Sequence, residues 1–148
     1  MSLIIRPVTP ADQPGWDTLY EGYGIFYKVT QTAEMRQRVF GWLMDAAHPC
    51  NGLVAEEDGV LVGLAHYRPY PSPLGACENG FLDDLFVDPA RRGSGAARAL
   101  IEALEDIGRQ KGWAKIRWIT ADDNFRARGL YDQLAARTMW ITYDMPVK

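Results

Sequence analysis

The feature that most constrains the fold is a glycine-rich turn between a predicted strand and the clearest predicted helix. The strand covers Gly80 to Val87, and the helix runs from about Ser94 to Lys111. One apolar stripe at helical spacing is formed by Ala97, Leu100, Ile101, Leu104 and Ile107. The turn itself reads Arg91-Arg92-Gly93-Ser94-Gly95-Ala96-Ala97. A strand, a tight turn and a long amphipathic helix in this order predict an α/β domain.

The same turn is typical of an anion-binding site. Glycines let the backbone approach a ligand closely, and the start of a helix carries about half a positive charge. Arg91, Arg92 and Arg98 add full charges. A P-loop would need Gly-Lys-Ser/Thr, which is absent, and the dinucleotide fingerprint needs a third small residue where Arg98 stands. Two interpretations stay open at this point: a pyrophosphate site of another kind, or a glycine turn with solvated arginines.

Periodicity and turn signals predict the remaining elements of a single domain spanning residues 1–148. The order β-α-α-β-β-β-α-β-α-β indicates an α/β fold with a mixed sheet. A hairpin across Asp58-Gly59 is expected, and a loop is expected around Pro69, Pro71, Pro73 and Gly75. Besides the strand and helix above, the predicted ranges are strand 3–6, helix 9–22, helix 32–47, strands 52–56 and 60–67, strand 115–120, helix 124–136 and strand 139–145.

Composition excludes several functional classes. The formal net charge is −3, which argues against nucleic-acid binding by charge alone and weakens a membrane-surface role. Every apolar run is too short to span a bilayer, and the N-terminus lacks the apolar stretch of a signal peptide. Two cysteines and two histidines form no metal-ligand spacing, so no metal is expected. We expect a cytoplasmic protein with free thiols, although a disulfide between Cys50 and Cys77 is the alternative.

Two motifs resemble the GNAT superfamily of N-acetyltransferases. Arg92-x-x-Gly95-x-Ala97 is similar to its Arg/Gln-x-x-Gly-x-Gly/Ala signature, and Asn124-x-x-Ala127-x-x-Leu130-Tyr131 resembles its second cofactor motif. The segment from Leu82 to Pro89 looks like the fourth strand of that fold. The resemblance covers nearly the whole chain and implies the GNAT fold, with a mixed, mostly antiparallel sheet, splayed central strands and about four helices.

The resemblance also implies a use for acetyl-CoA as co-substrate, without a metal. In this family, amides of the turn bind the pyrophosphate of CoA, and the fourth strand pairs with the pantetheine arm. Asn124 matches the residue that hydrogen-bonds this arm. The implied cofactor residues are Leu85, Phe86, Val87, Arg92, Gly93, Ser94, Gly95, Ala96, Ala97 and Asn124.

For catalysis, Tyr131 matches the usual general acid of the family. A phenol, with a pKa near 10, can donate a proton to a departing thiolate, whose conjugate thiol has a pKa near 8.5. Family position favours Asp83 as a water-linked base, with Asp84 anchoring a loop or the acceptor amine. Adjacent strand residues face opposite sides, so only one of the two is expected at a given cleft. Tyr131 could instead be a half-buried core aromatic, and one of the two aspartates could simply cap a neighbouring loop.

Acceptor specificity in the family lies in the first helices and the late strands. Glu21, Tyr23, Tyr27 and Trp118 are the expected substrate residues, because clustered tyrosines can wall an amine site through cation–π contacts. Hydrophobic cover of the core explains the same tyrosines equally well.

The pattern resembles the branch with yeast histone, polyamine and D-amino-acid acetyltransferases, and implies a homodimer. A small-molecule amine is expected as acceptor; the alternatives are a protein or peptide amine, a non-catalytic acyl-CoA sensor and another acyl donor. Ala136-Arg137-Thr138-Met139-Trp140 departs from the family's usual Gly-Phe, so a shifted last strand is expected.

Overall fold

A computed structural model describes residues 2–148 of the chain. Its sheet has five strands in the order β1-β2-β3-β4-β5, with three antiparallel pairings and a parallel one between the last two strands. The predicted mixed, mostly antiparallel sheet is therefore confirmed. The strands are β1 (Leu3–Pro7), β2 (Asn51–Glu57), β3 (Val60–Ser72), β4 (Cys77–Val87) and β5 (Ile116–Arg117).

Four α-helices are found in residues 2–148, as predicted, and two short 3-10 turns accompany them. The first predicted helix begins as a 3-10 turn and then continues four residues beyond its expected end at Gly22. Gly22 lies where α1 approaches the sheet most closely, since a Cβ there would be 3.2 Å from the Phe86 ring. The glycine therefore allows packing rather than ending the helix. The helices are α1 (Gln13–Phe26), α2 (Ala33–Met44), α3 (Ala96–Lys111) and α4 (Phe125–Leu134).

The chain divides into two compact units, one ending at Trp118 and the other comprising Ile119–Lys148. The first unit holds the sheet, α1, α2 and α3, and a core in which both helices of the N-terminal half pack on β2, β3 and β4. The second holds α4 and a C-terminal segment, residues 136–148, without assigned helix or strand. None of the helices in residues 2–148 combines the length and apolar character needed to cross a membrane. The core cluster comprises Trp16, Leu19, Phe40, Val54, Leu64 and Phe86.

Two predicted strands are corrected. The strand expected over 115–120 pairs only at Ile116 and Arg117. The strand expected over 139–145 does not form, and large side chains such as Met139 and Tyr143 are 97% and 86% exposed. Alternating apolar residues supply strand propensity, but a strand also needs a ladder partner. No segment within residues 2–148 pairs with this one.

The loop expected around the prolines is shorter than predicted, because β3 continues through Pro69 and Pro71 to Ser72. Both prolines pair with β4, opposite Gly80 and Glu78. The pairing of β3 with β2 ends at Tyr67, so the prolines lie where β3 has β4 as its only neighbour. Proline is tolerated on such an edge because no ladder hydrogen bond is lost there.

One contact fixes the start of β4 against the end of α3. The Trp113 ring lies over Gly80 so closely that a Cβ on Gly80 would be 2.3 Å from it. Trp113 Nε1 donates to Glu78 Oε1 at 2.9 Å, and Gly80 N donates to Lys115 O at 3.0 Å. These contacts hold β5 beside β4 at the two positions where they pair.

We predict that Gly80→Ala lowers the free energy of unfolding by about 2 kcal/mol, because the added methyl group displaces a packed indole ring. Gly41→Ala is the matched control, since a Cβ at Gly41 meets nothing within 4 Å and the residue lies inside α2. Alanine there should be neutral or slightly stabilising. Urea unfolding followed by circular dichroism measures both. Equal stability of the two variants would contradict the packing described.

Candidate active site

The parallel pairing of β4 and β5 ends after Phe81 and Arg117. From Leu82 to Val87, β4 is paired with β3 on one side, and no strand in residues 2–148 pairs with it on the other. In a strand, backbone groups point alternately to the two sides. Part of the backbone of Leu85, Phe86 and Val87 is therefore available to hydrogen-bond an extended ligand lying along this edge.

A β-bulge interrupts β4 at the two predicted catalytic carboxylates. His66 lies opposite Asp84 and Tyr67 lies opposite Leu82, so Asp83 is the extra residue. A bulge breaks the strict alternation of side chains. The electrostatic influence of both carboxylates reaches the Tyr20 hydroxyl and the Cys50 thiol. The regular alternation on which the expectation of a single carboxylate at a given cleft was based does not hold at this point of β4, and the division of roles between Asp83 and Asp84 stays a prediction.

Asp84 is held by donors from both α1 and β3. His66 Nδ1 lies 2.8 Å from Asp84 Oδ2, and the Tyr20 hydroxyl donates to the same oxygen at 2.9 Å. Burial by itself would raise the pKa of Asp84. The hydrogen bonds from His66, Tyr20 and Tyr23 outweigh that effect and bring the pKa below its usual value. Asp84 is thus a partly buried carboxylate that stays ionised at neutral pH.

Asp83 differs from Asp84 in its hydrogen-bond partner and in the direction of its pKa shift. It accepts a hydrogen bond from Arg68 Nε at 3.1 Å, and its side chain is one-third exposed. Burial raises the pKa of Asp83, with a further increase from the Asp84 charge, and the Arg68 guanidinium offsets only part of this. Two adjacent carboxylates therefore have pKa values shifted in opposite directions. Such divergence is common where one group binds charge and the other exchanges protons.

The tyrosines of α1 form a continuous aromatic wall beside Asp84. Tyr23 stacks on Phe86 with ring centroids 5.9 Å apart and planes inclined by 8°. Tyr20 and Tyr27 lie on either side of Tyr23, at 5.7 Å and 4.8 Å. The Asp84 charge also raises the pKa of Tyr27, after the effect of burial. These rings and one carboxylate have the composition of a site for an organic cation.

Glu21 lies apart from this wall. Its carboxylate is 3.5 Å from the Arg36 guanidinium of α2 and is more than half exposed. Arg36 is itself buried and bonded to Asp17. The structure therefore places Glu21 in a contact between α1 and α2, whereas Tyr23 and Tyr27 lie at the wall.

The glycine turn follows directly from the open edge of β4. Gly93 and Gly95 have φ angles of 87° and 85°, which strongly favour glycine, and a Cβ at either would meet nothing within 4 Å. Gly95 caps α3, whose first amides have no intrahelical acceptors. An approachable backbone at a helix start is chemically suited to a pyrophosphate. The residues present therefore fit the cofactor that the sequence motifs imply.

The arginines around the turn are not equivalent. Arg91 is 3.2 Å from the buried carboxylate of Glu57, so its charge is paired with β2. The Arg92 guanidinium lies over the Phe26 ring at 5.8 Å. Of these two charges, that of Arg92 lies at the junction between the turn and the end of α1. Arg91 is thus an ion-pair partner of β2, while the contributions of Arg92 and Arg98 to an anion site stay predictions.

The second unit carries the remaining predicted residues. Asn124 directly precedes α4, and its amide Nδ2 donates to Thr120 Oγ1 at 3.1 Å. Tyr131 lies in α4, two helical turns further along, and is half-buried. Trp118 is the last residue of the first unit and is also half-buried.

Sequence reasoning missed the groups that bind Asp84. His66 was weighed only in the search for metal-ligand spacing, which was not found, and was assigned no part in a site. The available signal was the spacing of Trp16, Tyr20, Tyr23 and Tyr27, which lie on one helical face. Cys50 was also near the site, but burial and the two carboxylates raise its thiol pKa to about 11, so it is a poor nucleophile.

Comparison with known protein families decides the classification. The model of the acetyltransferase (GNAT) family matches residues 16–135, which include the aromatic wall, the bulge, the turn and α4. The chain belongs to the GNAT acetyltransferase family. It is therefore an acyltransferase enzyme, and its fold is the GNAT fold.

Individual relatives agree with this family. A D-amino-acid N-acetyltransferase of Saccharomyces cerevisiae is 27% identical over 143 residues, covering 95% of this chain and 89% of the relative. A ribosomal-protein-alanine N-acetyltransferase structure from Brucella melitensis has a TM-score of 0.83 at 25% identity, covering 99% and 100% of the two chains. An aminoglycoside N-acetyltransferase in complex with CoA has a TM-score of 0.85 at 21% identity, covering 98% and 95%. At 21% identity, the likeness to the aminoglycoside enzyme shows only that the two chains share a fold.

Proposed function

We propose that this GNAT enzyme transfers an acetyl group from acetyl-CoA to a primary amine of a small molecule, by direct attack in a ternary complex. The observation that carries the proposal is the position of Asp84 beside Phe86. Asp84 and the aromatic wall form a cation site, and Phe86 belongs both to that wall and to the open edge of β4. An amine bound at the cation site would lie next to an acyl group held along the open edge of β4.

The cofactor residues of the proposal follow the turn and the strand. Amides from Gly93 to Ala97 would hold the pyrophosphate, with Arg92 adding charge, and the backbone of Leu85, Phe86 and Val87 would pair with the pantetheine arm. Asn124 would bind the same arm. Acetyl-CoA supplies an activated acyl group, and a backbone N–H of Leu85 or Phe86 would stabilise the developing oxyanion. A CoA complex of a structural relative with the same fold supports this assignment.

The two aspartates would divide the work on the acceptor. An alkylammonium has a pKa near 10.4, so the acceptor arrives charged and must lose a proton before it attacks. Asp84, held as a carboxylate, would bind the ammonium between Tyr20, Tyr23 and Tyr27. Asp83, whose pKa is raised, is the better proton acceptor and would act through water. Tyr131 would protonate the leaving thiolate.

The small-molecule class is supported by the yeast relative, whose name gives D-amino acids as its acceptors and which aligns along most of both chains. The Brucella structure is named for an acceptor on a ribosomal protein, so a peptide amine is the alternative acceptor. We further propose that both units form one domain, because the family match crosses Trp118, and that two copies associate through the exposed apolar C-terminal segment.

The proposed pyrophosphate site predicts that Gly95→Glu abolishes CoA binding, since the side chain fills the turn and adds a negative charge. Gly112→Glu is the matched control: Gly112 has a φ of 75°, caps the other end of α3 and is equally open. Backbone strain is thus similar in both variants. Isothermal titration calorimetry with CoA measures the difference. Equal loss of binding in both variants would indicate unfolding, and normal binding by Gly95→Glu would refute the assignment.

The proposed general acid predicts that Tyr131→Phe lowers kcat by about ten- to a thousandfold while CoA affinity stays within about threefold. The phenyl ring keeps the packing of α4 and removes only the proton donor. Free-thiol release measures kcat, and calorimetry measures CoA affinity. Tyr143→Phe, in the exposed C-terminal segment, is the control for loss of a hydroxyl. Unchanged turnover in Tyr131→Phe would remove Tyr131 from the mechanism.

The acceptor class is tested by thiol release over D- and L-amino acids, polyamines, aminoglycosides and peptides with free N-termini. We expect activity with a small cationic amine that rises with pH as the amine loses its proton, and a loss of at least about tenfold in Asp84→Asn. Activity confined to peptides would favour the alternative acceptor. CoA binding without turnover on any amine would indicate an acyl-CoA sensor.

A further inference from the structure

A buried histidine that the proposed chemistry does not use lies directly behind Asp84. His66 is 1% exposed and is fixed on both ring nitrogens. Trp16 Nε1 lies 2.9 Å from His66 Nε2, and His66 Nδ1 lies 2.8 Å from Asp84 Oδ2. Trp16 is also 1% exposed and packs between Tyr20 and Phe40 in the core. The three side chains form one hydrogen-bonded row from the core to the site.

The direction of each hydrogen bond in this row follows from the chemistry of its first member. An indole nitrogen can only donate, so His66 Nε2 must be the unprotonated acceptor. The proton of the neutral ring is then on Nδ1, where it is donated to Asp84. The opposite tautomer would place two N–H groups against each other and leave Asp84 without this donor. Trp16 therefore selects the one tautomer that supports the Asp84 carboxylate.

Other charged or titratable groups around Asp84 do not replace this donor. From α1, the Tyr20 hydroxyl donates to Asp84, the Tyr23 hydroxyl helps to lower the Asp84 pKa, and the Asp84 charge contributes to the raised pKa of Tyr27. From β3, Arg68 is bonded to the neighbouring Asp83. The Cys50 thiol, just before β2, has a raised pKa and is neutral. His66 is thus the donor from β3 and the one that reaches Asp84 from the buried side.

We propose that Trp16 and His66 are positioning residues, which hold Asp84 ionised and oriented toward the acceptor amine by fixing the Nδ1–H tautomer of His66. The proposal rests on the proposed function for the role of Asp84, but the tautomer itself does not depend on any substrate. The hydrogen bond from His66 is the largest of the effects that lower the pKa of Asp84. Neither residue touches the reacting atoms, so their effect is exerted entirely through Asp84.

The tautomer is tested by nitrogen NMR of protein labelled in its two histidines, at alkaline pH where imidazole is neutral. We expect His66 to show a protonated Nδ1 and a bare Nε2, with His48 assigned through a His48→Gln variant. Trp16→Phe should show a smaller excess of this tautomer, because only Asp84 then favours it. A protonated Nε2 in the wild-type protein would overturn the proposal, whatever the enzyme acetylates.

The effect on Asp84 is tested with His66→Leu and His66→Asn, the second of which keeps an N–H donor near the position of Nδ1. Carbon NMR of labelled aspartate carboxyls should show a raised pKa of Asp84 in His66→Leu and a smaller change in His66→Asn. With D-lysine as acceptor, lowering the pH from about 8 to about 6 should reduce kcat/KM. The reduction in His66→Leu should be about tenfold larger than the reduction in the wild-type enzyme. His66→Asn should restore most of the wild-type profile.

Phe40→Leu controls for lost packing, because Phe40 contacts the Trp16 ring at 5.1 Å and takes no part in the row of hydrogen bonds. It should lower the melting temperature without moving the pH profile. The positioning role is overturned if the enzyme acetylates D-lysine but the pH profile of His66→Leu matches that of Phe40→Leu. The proposed function would be left intact by that result. If CoA binds but no amine is acetylated, the function fails, while the tautomer and the Asp84 titration still decide the inference.

Discussion

The early end of the pairing between β4 and β5 is the constraint on which the site depends. Trp113 over Gly80 holds the two strands together at their start, where they pair at two positions, Gly80 with Ile116 and Phe81 with Arg117. Beyond these pairs, no strand in residues 2–148 pairs with that side of β4 up to the glycine turn. The bulge at Asp83 and Asp84 lies within this open stretch. The edge proposed to hold the acyl group, the pair of carboxylates and the helix start proposed to bind the pyrophosphate are therefore consecutive parts of one chain segment.

The aromatic face of α1 packs beside this segment and supplies the second side of the proposed site. Gly22 allows α1 to approach Phe86, and Tyr20 and Tyr23 reach Asp84 from there. Trp16, one helical turn earlier on the same face, is buried and bonds His66 instead. One helix face thus supplies core packing at one end and, at the other, the aromatic wall proposed to bind the acceptor. This continuity explains why the same tyrosines fitted both a core and a binding interpretation in the sequence.

Local patterns predicted the strand, turn and α3 well, because glycine spacing and the apolar stripe have direct backbone consequences. The GNAT family assignment made from these motifs is confirmed. Features that depend on distant partners were not predictable in the same way. The bulge is visible only once β3 and β4 are in register, and it removes the regular side-chain alternation assumed for Asp83 and Asp84. The strand expected over 139–145 had the right pattern but lacks a pairing partner in residues 2–148. The role proposed for His66 depends on its hydrogen bond with Trp16, fifty residues earlier.

The most direct test of the central claim is a crystal structure of this enzyme with CoA. The account predicts pyrophosphate oxygens on the amides of Gly93 to Ala97, the pantetheine arm paired with Leu85 to Val87, and the sulfur near the wall formed by Tyr23 and Phe86. The same structure would show whether the Tyr131 hydroxyl reaches the sulfur. Pyrophosphate bound away from the turn, or a pantetheine arm that leaves β4 unpaired, would contradict the account.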